Sequence, residues 1–449
     1  MTKILILCKS GRLHAIGRAL KASRQSVDLY ALAEVHNPGL DAIAQVKIGK
    51  TDAVAEVVAY AREIKPDFVV IGPEEPLFAG VVDALERIGI PCVGPKKAVA
   101  RIEWSKAFAR TLLSQYLPEV NPRFRVFSAV AGISDFLKDL GDFVIKPDGL
   151  TGGKGVKVSG VHLAGVSDAI TYCREVFASG HEQIVIEEKL DGEEFTFQSF
   201  CDGTHVVHTI PVQDHKRLLD GDKGPNTGGM GSYSCEDHGL PFLAPSDLAA
   251  ARKANEIVAA ALRSETGIPY KGILYGGFIA TRDGVKVIEY NSRFGDPEVM
   301  NVLPLLETDF VSLCEAIVEG TLSESHVKFA KKATVCKYIV PKDYPTAKKS
   351  PGVISAAEVA PDGPNLRVYY AALRRGEGSM LELTSSRALA FVGIGEDLAE
   401  AAEIAEAAAA KITGPVHHRK DIGSTALIKA RVDHMRDLRS RERRTHEFV

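Results

Sequence analysis

The chain lacks the long apolar run that a membrane-spanning helix needs. None of its hydrophobic runs approaches the ~18 consecutive apolar residues of such a helix, and the apolar run at residues 4–7 is too short for a signal peptide. A strong charge bias is missing as well, because 55 lysines and arginines stand against 58 acidic residues in a chain of 449. This balance argues against a nucleic-acid-binding protein. We therefore expect a cytoplasmic protein that acts without a membrane or a nucleic acid.

Paired cysteines are missing too. The 7 cysteines are scattered, and no two have the Cys-x-x-Cys spacing of a redox site or a zinc ribbon. Reduced thiols are therefore expected, as in a cytoplasm. What the chain does have is size, since 449 residues correspond to about three ordinary domains. With 45% hydrophobic residues it can form sizeable cores.

The first hundred residues alternate short apolar runs with helical patterns. Strands are predicted at 4–7, 68–71 and 90–93, and helices over 52–63 and 78–88. Such alternation favours an open parallel sheet, and the strand ends of such a sheet are the usual ligand crevice. The later regions mix hairpin and helix patterns, so we predict a multidomain protein of the α/β and α+β classes.

A strand followed by a glycine-rich loop, at 144–156, is the strongest local signal. The strand delivers Lys146, and the loop contains Gly152, Gly153 and Lys154. Glycines let backbone N–H groups turn toward an anion without steric cost, and the lysines add full positive charge. The pattern favours a loop that closes over a polyphosphate, although it is not a Walker A loop. A tight hairpin with exposed lysines is the plain alternative.

A Glu-x-Asn pair lies on a late predicted strand. Glu289 and Asn291 are two residues apart, so their side chains lie on the same face of the strand. A carboxylate and an amide oxygen side by side form a Mg²⁺ site that leaves room for phosphates. Arg293 continues that face and could clamp an anion. The alternative is a surface Glu and Asn on an edge strand.

Two further segments give weaker signals. The charged run 214–217 leads into a glycine-rich loop at 220–231. This loop could order over a bound substrate or could be a plain surface loop. The strand, connector and strand at 185–196 could offer backbone groups to an adenine edge. That segment is equally consistent with a plain hairpin.

In this order the motifs resemble the ATP-grasp ligases, and more closely the phosphoribosylamine–glycine ligase (glycinamide ribonucleotide synthetase) family. The resemblance extends to about residue 426 and is most specific in the last two of its runs. The runs are Gly72-Pro73-Glu74-x-Pro76-Leu77, Ser105-Lys106-Ala107-Phe108, the 146–156 loop, Asp214-His215-Lys216-Arg217, Pro225-Asn226-Thr227-Gly228-Gly229-Met230-Gly231 and Arg293-Phe294-Gly295-Asp296-Pro297-Glu298.

The resemblance implies three domains and a tail. It places an N-terminal substrate-binding α/β domain with an open parallel sheet at 1–102. An ATP-grasp region follows at 103–330, with a smaller lid subdomain within 124–190, and then a small C-terminal domain at 331–426. The basic tail 427–449 lies beyond the resemblance. A solvated final helix is the plain interpretation of this tail, and an arm that binds a partner or nucleic acid is the alternative.

The resemblance also implies a reaction. ATP would drive the ligation of glycine to 5-phosphoribosylamine, giving glycinamide ribonucleotide, ADP and phosphate through glycyl phosphate, in de novo purine biosynthesis. The metal would be Mg²⁺ or Mn²⁺, ATP the co-substrate, and the enzyme a monomer or weak dimer whose partners are small molecules. An ATP-grasp ligase for a different amine and a non-catalytic nucleotide-binding regulator remain alternatives.

By position in the family's motifs, the resemblance assigns roles to individual residues. Those assigned to ATP are Lys106, Lys146, Gly152, Gly153 and Lys154 for the phosphates, Glu187, Lys189 and Leu190 for adenine, and Glu194 for the ribose. Those assigned to catalysis and the other substrates are Lys216, Asp214 for the glycine ammonium, Arg293 for the acyl phosphate, and Gly11, Arg12, Asn37 and Glu74 for phosphoribosylamine. Glu289 and Asn291 would hold the metal.

One segment departs from the family's pattern. The family usually has Gly-x-Gly-Gly-Arg-Glu-His-Ala where residues 8–15 read Cys-Lys-Ser-Gly-Arg-Leu-His-Ala. Two glycines are lost, and Leu13 replaces an acid. In the family this loop faces the phosphoribosyl substrate. Either Lys9 and Arg12 compensate by their charge or the amine substrate has changed, and we expect compensation.

Overall fold

The computed structural model describes residues 1–149, 155–346 and 352–446, with side chains up to residue 440. Its N-terminal part is an open sheet of five parallel strands in the order β3-β2-β1-β4-β5, which confirms the predicted open parallel sheet. The strands are β1 (Thr2–Cys8), β2 (Val27–Ala33), β3 (Gln45–Ile48), β4 (Phe68–Ile71) and β5 (Cys92–Val93). The helices are α1 (Gly11–Lys21), α2 (Pro38–Asp41), α3 (Val54–Ile64), α4 (Glu75–Ala79), α5 (Val81–Arg87) and α6 (Lys97–Trp104).

The central strand β1 shows why this sheet forms. Ile4 and Ile6 belong to the core on one face, and Leu5 and Leu7 belong to the core on the other. Side chains alternate between the faces of a strand, so a strand covered on both faces must be apolar at every position. The run Ile-Leu-Ile-Leu meets that requirement.

Two elements differ from their predictions. The helix predicted over 78–88 is interrupted at Gly80, whose left-handed backbone (φ 82°) separates α4 from α5. The last strand is shorter than predicted and begins after Pro91, which cannot donate a ladder hydrogen bond.

The central part holds two antiparallel sheets with a cleft between them. One has the order β6-β9-β7-β8 and the other β11-β10-β16-β17. Lys146 of the first sheet lies beside Ile288 of the second (Nζ···O 3.3 Å). The helices are α7 (Lys106–Tyr116), α8 (Ile133–Leu140), α9 (Val166–Ala178), α10 (Pro245–Thr266), α11 (Val299–Val302) and α12 (Phe310–Glu319). The strands are β6 (Phe124–Phe127), β7 (Phe143–Pro147), β8 (Lys157–Val158), β9 (Ile184–Glu188), β10 (Gly192–Asp202), β11 (Val206–His208), β12 (Gln213–Asp214), β13 (Arg217–Leu219), β14 (Lys223–Asn226), β15 (Gly231–Ser234), β16 (Lys271–Thr281) and β17 (Gly284–Asn291).

The C-terminal part shares a sheet with the central part. Strands β12 and β15 continue into it in the order β12-β15-β18-β23-β20, and β24 pairs with β18. The elements are β18 (Ala333–Pro341), β19 (Val353–Ser355), β20 (Leu366–Tyr370), β21 (Leu373–Arg375), β22 (Met380–Leu383), β23 (Leu389–Gly395), α13 (Leu398–Ala409), β24 (Val416–His417) and α14 (Thr425–His446). Because β12 carries Asp214, this shared sheet brings the C-terminal part up to the cleft. The domain boundaries given above stay predictions.

The tail forms the helix α14, with one face buried. Met435 is 2% exposed and Leu438 is 6% exposed, so the helix is not solvated on all sides. Across the described ranges, no helix is both long enough and apolar enough to span a bilayer. All 7 cysteines are buried free thiols.

Candidate active site

Lys146 and Arg110 share one buried carboxylate at the base of the cleft. Glu187 Oε1 lies 2.8 Å from Lys146 Nζ, and its Oε2 lies 2.6 Å from Arg110 Nη2. Desolvation and then the charge of Arg110 lower the pKa of Lys146, while Glu187 opposes the shift. Two cations on one carboxylate leave a net positive charge, which suits a phosphate. Both oxygens of Glu187 therefore form ion pairs within the protein, and its assignment to adenine stays a prediction.

Lys106 lies at the start of helix α7, beside the first residues after β7 in the glycine-rich segment 144–156. Ser105 accepts a hydrogen bond from the Phe108 amide and so caps the helix, and Asp148 accepts one from the Ser105 hydroxyl (3.1 Å). Lys106 donates to the Gly149 carbonyl (2.7 Å), so its ammonium lies at the entrance of the loop. Three further predicted phosphate ligands lie outside the described residues, namely Gly152, Gly153 and Lys154.

The predicted adenine connector lies between β9 and β10. Lys189 is exposed and Leu190 half-buried, and the Lys189 amide donates to the Asp142 carbonyl (3.1 Å). Glu194 follows on β10 and pairs with Lys216 (Oε2···Nζ 3.1 Å). Glu194 is the main cause of a raised pKa of Lys216, so this lysine stays charged.

The predicted metal pair lies on β17 and faces the same cleft. Glu289 lines a cavity with Glu194, Asp214 and Lys216. Asn291 donates weakly to Glu289 (3.5 Å), so its amide oxygen remains available. Desolvation opposes ionisation of Glu289, but Lys216, Lys146 and Lys106 together lower its pKa below the ordinary value. An ionised carboxylate beside an amide oxygen fits a Mg²⁺ ion.

This pair is too small to hold a metal alone. Within the described part of the chain, no group of three or more His, Cys, Asp or Glu side chains is arranged to hold a metal ion. A cation on Glu289 and Asn291 would need further oxygens, and nucleotide phosphates can provide them.

Asp214 is a buried carboxyl group that lines the same cavity as Glu289. Its Oδ1 is buried and has no hydrogen-bond partner among the described residues. Burial, followed by the charge of Glu298, raises the pKa of Asp214 well above its ordinary value. Gly229 (φ 104°) allows the loop to approach it, since a Cβ there would lie 2.8 Å from this oxygen. The geometry suits an incoming ammonium group.

Arg293 joins the cleft to the N-terminal part. Its Nε lies 3.3 Å from Glu74 Oε2, and its Nη2 lies 3.1 Å from Glu103 Oε1. Arg12 donates to the Gly72 carbonyl (2.8 Å) and lies 3.7 Å from Glu74. The structure therefore brings together three of the predicted residues, Arg12, Glu74 and Arg293, and adds Glu103.

The two acids of this cluster, Glu74 and Glu103, have pKa values shifted in opposite directions. Desolvation opposes ionisation of Glu74, but Arg293 and then Arg12 lower its pKa to about 2. Desolvation, reinforced by the charge of Glu74, raises the pKa of Glu103 to about 7 despite Arg293. Neighbouring acids that share counter-charges separate in this way, because ionisation of one opposes ionisation of the other.

Glu103 should make the protein less stable as the pH rises from 5 to 8. Its folded pKa of about 7 lies above the ordinary 4.5, so the folded state retains a proton in this window that the unfolded state has lost. The contribution is at most about 3 kcal/mol. We expect Glu103→Gln to reduce the difference in unfolding free energy between pH 5 and pH 8, measured by denaturant titration. Asp214 contributes with the same sign, so some dependence should remain. An unchanged or larger difference in the variant would contradict the assignment.

The Asn37 side chain is engaged in contacts within the protein, and its assignment to substrate stays a prediction. Its Oδ1 accepts from the Gly39 and Leu40 amides, and its Nδ2 donates to the carbonyls of Tyr370 and Ala371 (2.9 and 2.8 Å). All of its hydrogen-bonding capacity is used to cap α2 and to hold the C-terminal part.

The predicted 8–15 loop is mostly helix. Gly11 begins α1, and a Cβ there would lie 2.6 Å from Tyr338 Oη, so close packing requires this glycine. Leu13 is 1% exposed and packs against Gly72. Lys9 forms an ion pair with Glu75, which leaves Arg12 as the cation of this segment that lies in the cluster.

Arg387, from the C-terminal part, lies at the site although no sequence pattern predicts it there. It donates to the carbonyls of Gly228 (2.6 Å) and Asp296 (2.9 Å) and lies over the Tyr338 ring at 4.5 Å. These contacts hold the glycine-rich loop at 220–231 beside Asp214. Arg387 lies in an ordinary Ser-Ser-Arg run, so nothing local marks it.

This fold and site define an ATP-grasp enzyme. Models of three consecutive domains of one family match the chain, namely the N domain of phosphoribosylglycinamide synthetase at 2–103, its ATP-grasp (A) domain at 104–299 and its C domain at 334–425. The chain belongs to the phosphoribosylglycinamide synthetase family. This confirms the predicted family, the fold class and the class of enzyme, an ATP-grasp carboxylate–amine ligase.

Individual relatives are similar over nearly the whole chain. The phosphoribosylamine–glycine ligase of Methanosarcina barkeri is 47% identical over 438 residues, covering 97% of this chain and 100% of the relative. The corresponding ligase of Methanoregula boonei is 48% identical over 440 residues, covering 97% and 100%. The crystal structure of the Thermotoga maritima ligase superposes with a TM-score of 0.77 at 27% identity, covering 94% and 100%. A biotin carboxylase from Campylobacter jejuni shares the fold alone (TM-score 0.71, 16% identity, 95% of each chain).

Proposed function

We propose that this protein ligates glycine to 5-phosphoribosylamine with ATP and Mg²⁺, giving glycinamide ribonucleotide, ADP and phosphate. The observation that carries the proposal is the buried Asp214 Oδ1, which has no hydrogen-bond partner among the described residues and lies in the same cavity as Glu289. A substrate that brings an ammonium to Asp214 presents its own carboxylate to the phosphate-binding end of the cleft. Glycine is the smallest molecule with both groups. Membership of the family supports this choice.

The chemistry is activation followed by capture. A carboxylate oxygen of glycine attacks the γ-phosphorus of ATP, ADP leaves, and glycyl phosphate forms. The amine of phosphoribosylamine then attacks the carbonyl carbon, and phosphate leaves with that oxygen. Positioning and charge neutralisation supply most of the acceleration in such steps. When bound, Mg²⁺ on Glu289 and Asn291 would neutralise phosphate charge.

The chain's own residues divide the remaining tasks. Lys106, Lys146 and Lys154 would contact phosphates, the connector would hold adenine through Lys189 and Leu190, and Glu194 would hold the ribose. Lys216 keeps Glu194 in place and adds positive charge at the site of transfer. Arg293 would stabilise the acyl phosphate with its positive charge. Burial opposes that charge, but Glu103 and Glu74 outweigh the effect of burial and raise the pKa of Arg293.

The N-terminal cluster is the proposed site for phosphoribosylamine. Glu74 would accept hydrogen bonds from the ribose hydroxyls. Arg12 Nε is buried without a partner among the described residues, so it has a donor free for an anionic substrate. We therefore retain phosphoribosylamine as the amine despite the altered 8–15 segment. A different amine and a regulator that binds nucleotide without catalysis are not favoured.

Arg12→Ala should raise KM for phosphoribosylamine about tenfold and leave KM for ATP and glycine nearly unchanged. A contact made equally in the ground state and the transition state appears in KM. Steady-state kinetics with each substrate varied in turn provide the measurement. Arg18→Ala is the matched control, because Arg18 lies on the same helix and pairs with Asp362 outside the cluster. An Arg12 variant with unchanged KM for phosphoribosylamine would contradict the placement.

We further propose that the enzyme works in the cytoplasm as a monomer or weak dimer, with Mn²⁺ able to replace Mg²⁺. Buried free thiols at all 7 cysteines are consistent with a reducing compartment. Carboxylate and amide oxygens suit either metal.

ADP release measured with glycine, with and without phosphoribosylamine, tests the proposed function. Stoichiometric release of ADP and glycinamide ribonucleotide should require all three substrates. Release that does not depend on glycine would contradict the proposal, as would release with some other amine in place of phosphoribosylamine.

A further inference from the structure

The C-terminal helix α14 packs against β10 and β16 of the central part, although the family's C-domain model ends at residue 425. Its buried residues Met435 and Leu438 fix it to the body of the protein. Ion pairs then join it to two segments that flank the proposed nucleotide site. The first segment is the start of β10, and the second is the β13–β14 hairpin.

Arg431 connects these two segments with one side chain. Its Nε lies 3.2 Å from Glu193 Oε2, and its Nη2 pairs with Asp222 Oδ2. Glu193 is 4% exposed, and its Oε1 also forms a hydrogen bond with His434 Nδ1 (2.6 Å). Asp222 Oδ1 also forms an ion pair with Nη1 of the buried Arg419 (2.8 Å). Arg431 is thus the side chain that joins a carboxylate of the strand to a carboxylate of the hairpin.

The opposite side of this bridge carries the proposed ribose site. Neighbouring residues of a strand project to opposite faces, so Glu193 meets α14 while Glu194 meets the cleft. Glu194 pairs there with Lys216, and Lys216 immediately precedes the hairpin that holds Asp222. The pair in the cleft therefore rests on the two segments that Arg431 joins from behind.

We propose that Arg431 is a positioning residue for the ATP site. It fixes the start of β10 relative to the β13–β14 hairpin and so sets the separation of Glu194 and Lys216. The inference rests on the proposed function, because it takes Glu194 as the ribose contact. Arg431 touches no substrate, and its effect falls on ATP rather than on glycine or phosphoribosylamine.

Kinetics and direct nucleotide binding of the full-length Arg431→Met variant test this inference. We expect KM for ATP and the dissociation constant of ADP to rise about tenfold, as is typical when a coupled pair is broken. KM for glycine should stay within about twofold of the parent, and kcat should fall by less than KM for ATP rises. Arg431→Lys should give a smaller increase, since one ammonium cannot span both carboxylates as a guanidinium does.

Two comparisons separate positioning from a general loss of stability. Arg436→Ala removes an exposed arginine of the same helix that pairs with Asp433 and Asp437, and it should leave KM for ATP unchanged. Glu193→Gln and Arg431→Met together should raise KM for ATP by less than the product of their single effects, because they break the same bridge. If Arg431→Met does not fold, Arg431→Lys provides the readout.

The inference is overturned if Arg431→Met lowers Tm but leaves KM for ATP and ADP binding unchanged. It is also overturned if KM for glycine and kcat change as much as KM for ATP. The ADP-binding measurement needs no catalysis. A parent protein whose ADP binding depends on Arg431 but that does not ligate glycine would therefore contradict the proposed reaction and not this inference.

Discussion

Replacing Glu289 by glutamine is expected to lower kcat by about 10²–10³-fold while the protein remains folded. The change removes one charge from the metal pair and preserves the shape of the side chain. Loss of a single preorganised electrostatic group in an active site costs about this much. The variant also removes the carboxylate whose pKa Lys216, Lys146 and Lys106 lower, so less negative charge faces these lysines when no nucleotide is bound.

The measurement is kcat at saturating Mg²⁺, together with Tm. Asp283→Asn is the matched control, because Asp283 lies in the exposed turn of the same β16–β17 hairpin (side chain 61% exposed). The control should retain full activity. A Glu289 variant that turns over within about threefold of the parent would contradict the assignment of the metal pair.

Replacing Asp214 by asparagine is expected to raise KM for glycine about 100-fold and, at the same time, to raise Tm. An ammonium that loses a buried ionic partner loses about 2–5 kcal/mol of binding. Stability changes in the opposite direction, because burial and Glu298 raise the pKa of Asp214 in the folded state. A carboxyl with a raised folded pKa destabilises the protein once the pH exceeds its unfolded value, and asparagine removes that cost.

Glycine kinetics and thermal unfolding at pH 7.5 test both parts of this prediction. KM for ATP should change little, since Asp214 is assigned to the glycine ammonium. Asp220→Asn is a suitable control, because Asp220 accepts a hydrogen bond from the Lys420 amide and asparagine can accept the same bond. An Asp214→Asn protein with unchanged KM for glycine would remove Asp214 from the glycine site.

Local periodicity is sufficient to predict that Glu289 and Asn291 lie side by side on one strand. Glu289 and Asn291 both lie on β17, and their two-residue spacing places them on one face. The Lys189–Leu190 connector follows in the same way from two strand patterns that flank it. These predictions need only the geometry of a strand, which residues of one short segment determine.

Residues that depend on distant parts of the chain could not be predicted. Arg387 reaches the glycine-rich loop because β18 pairs with β15, and no local pattern encodes that pairing. Glu103 acquires its raised pKa from burial and then from the charge of Glu74, which lies on another element. Arg431 belongs to a tail whose composition indicates only a charged helix.

Asn37 also has an explanation that needs no substrate. The resemblance assigns Asn37 to the substrate, but Asn before Pro is also an ordinary helix start, with the side chain as N-cap and Pro at the first turn. The structure shows this second use, since Asn37 caps α2. Resemblance supplied a role at this position where local helix chemistry explains the residue.

The central claim is that ATP activates the carboxylate of glycine and that an amine then captures it. Glycine labelled with heavy oxygen in its carboxylate, incubated with the enzyme, ATP, Mg²⁺ and phosphoribosylamine, tests it most directly. Mass spectrometry should find one labelled oxygen in each phosphate released and the other in the amide of glycinamide ribonucleotide. Phosphate that carries no label would contradict the account, because the carboxylate oxygen would then never have been bonded to phosphorus.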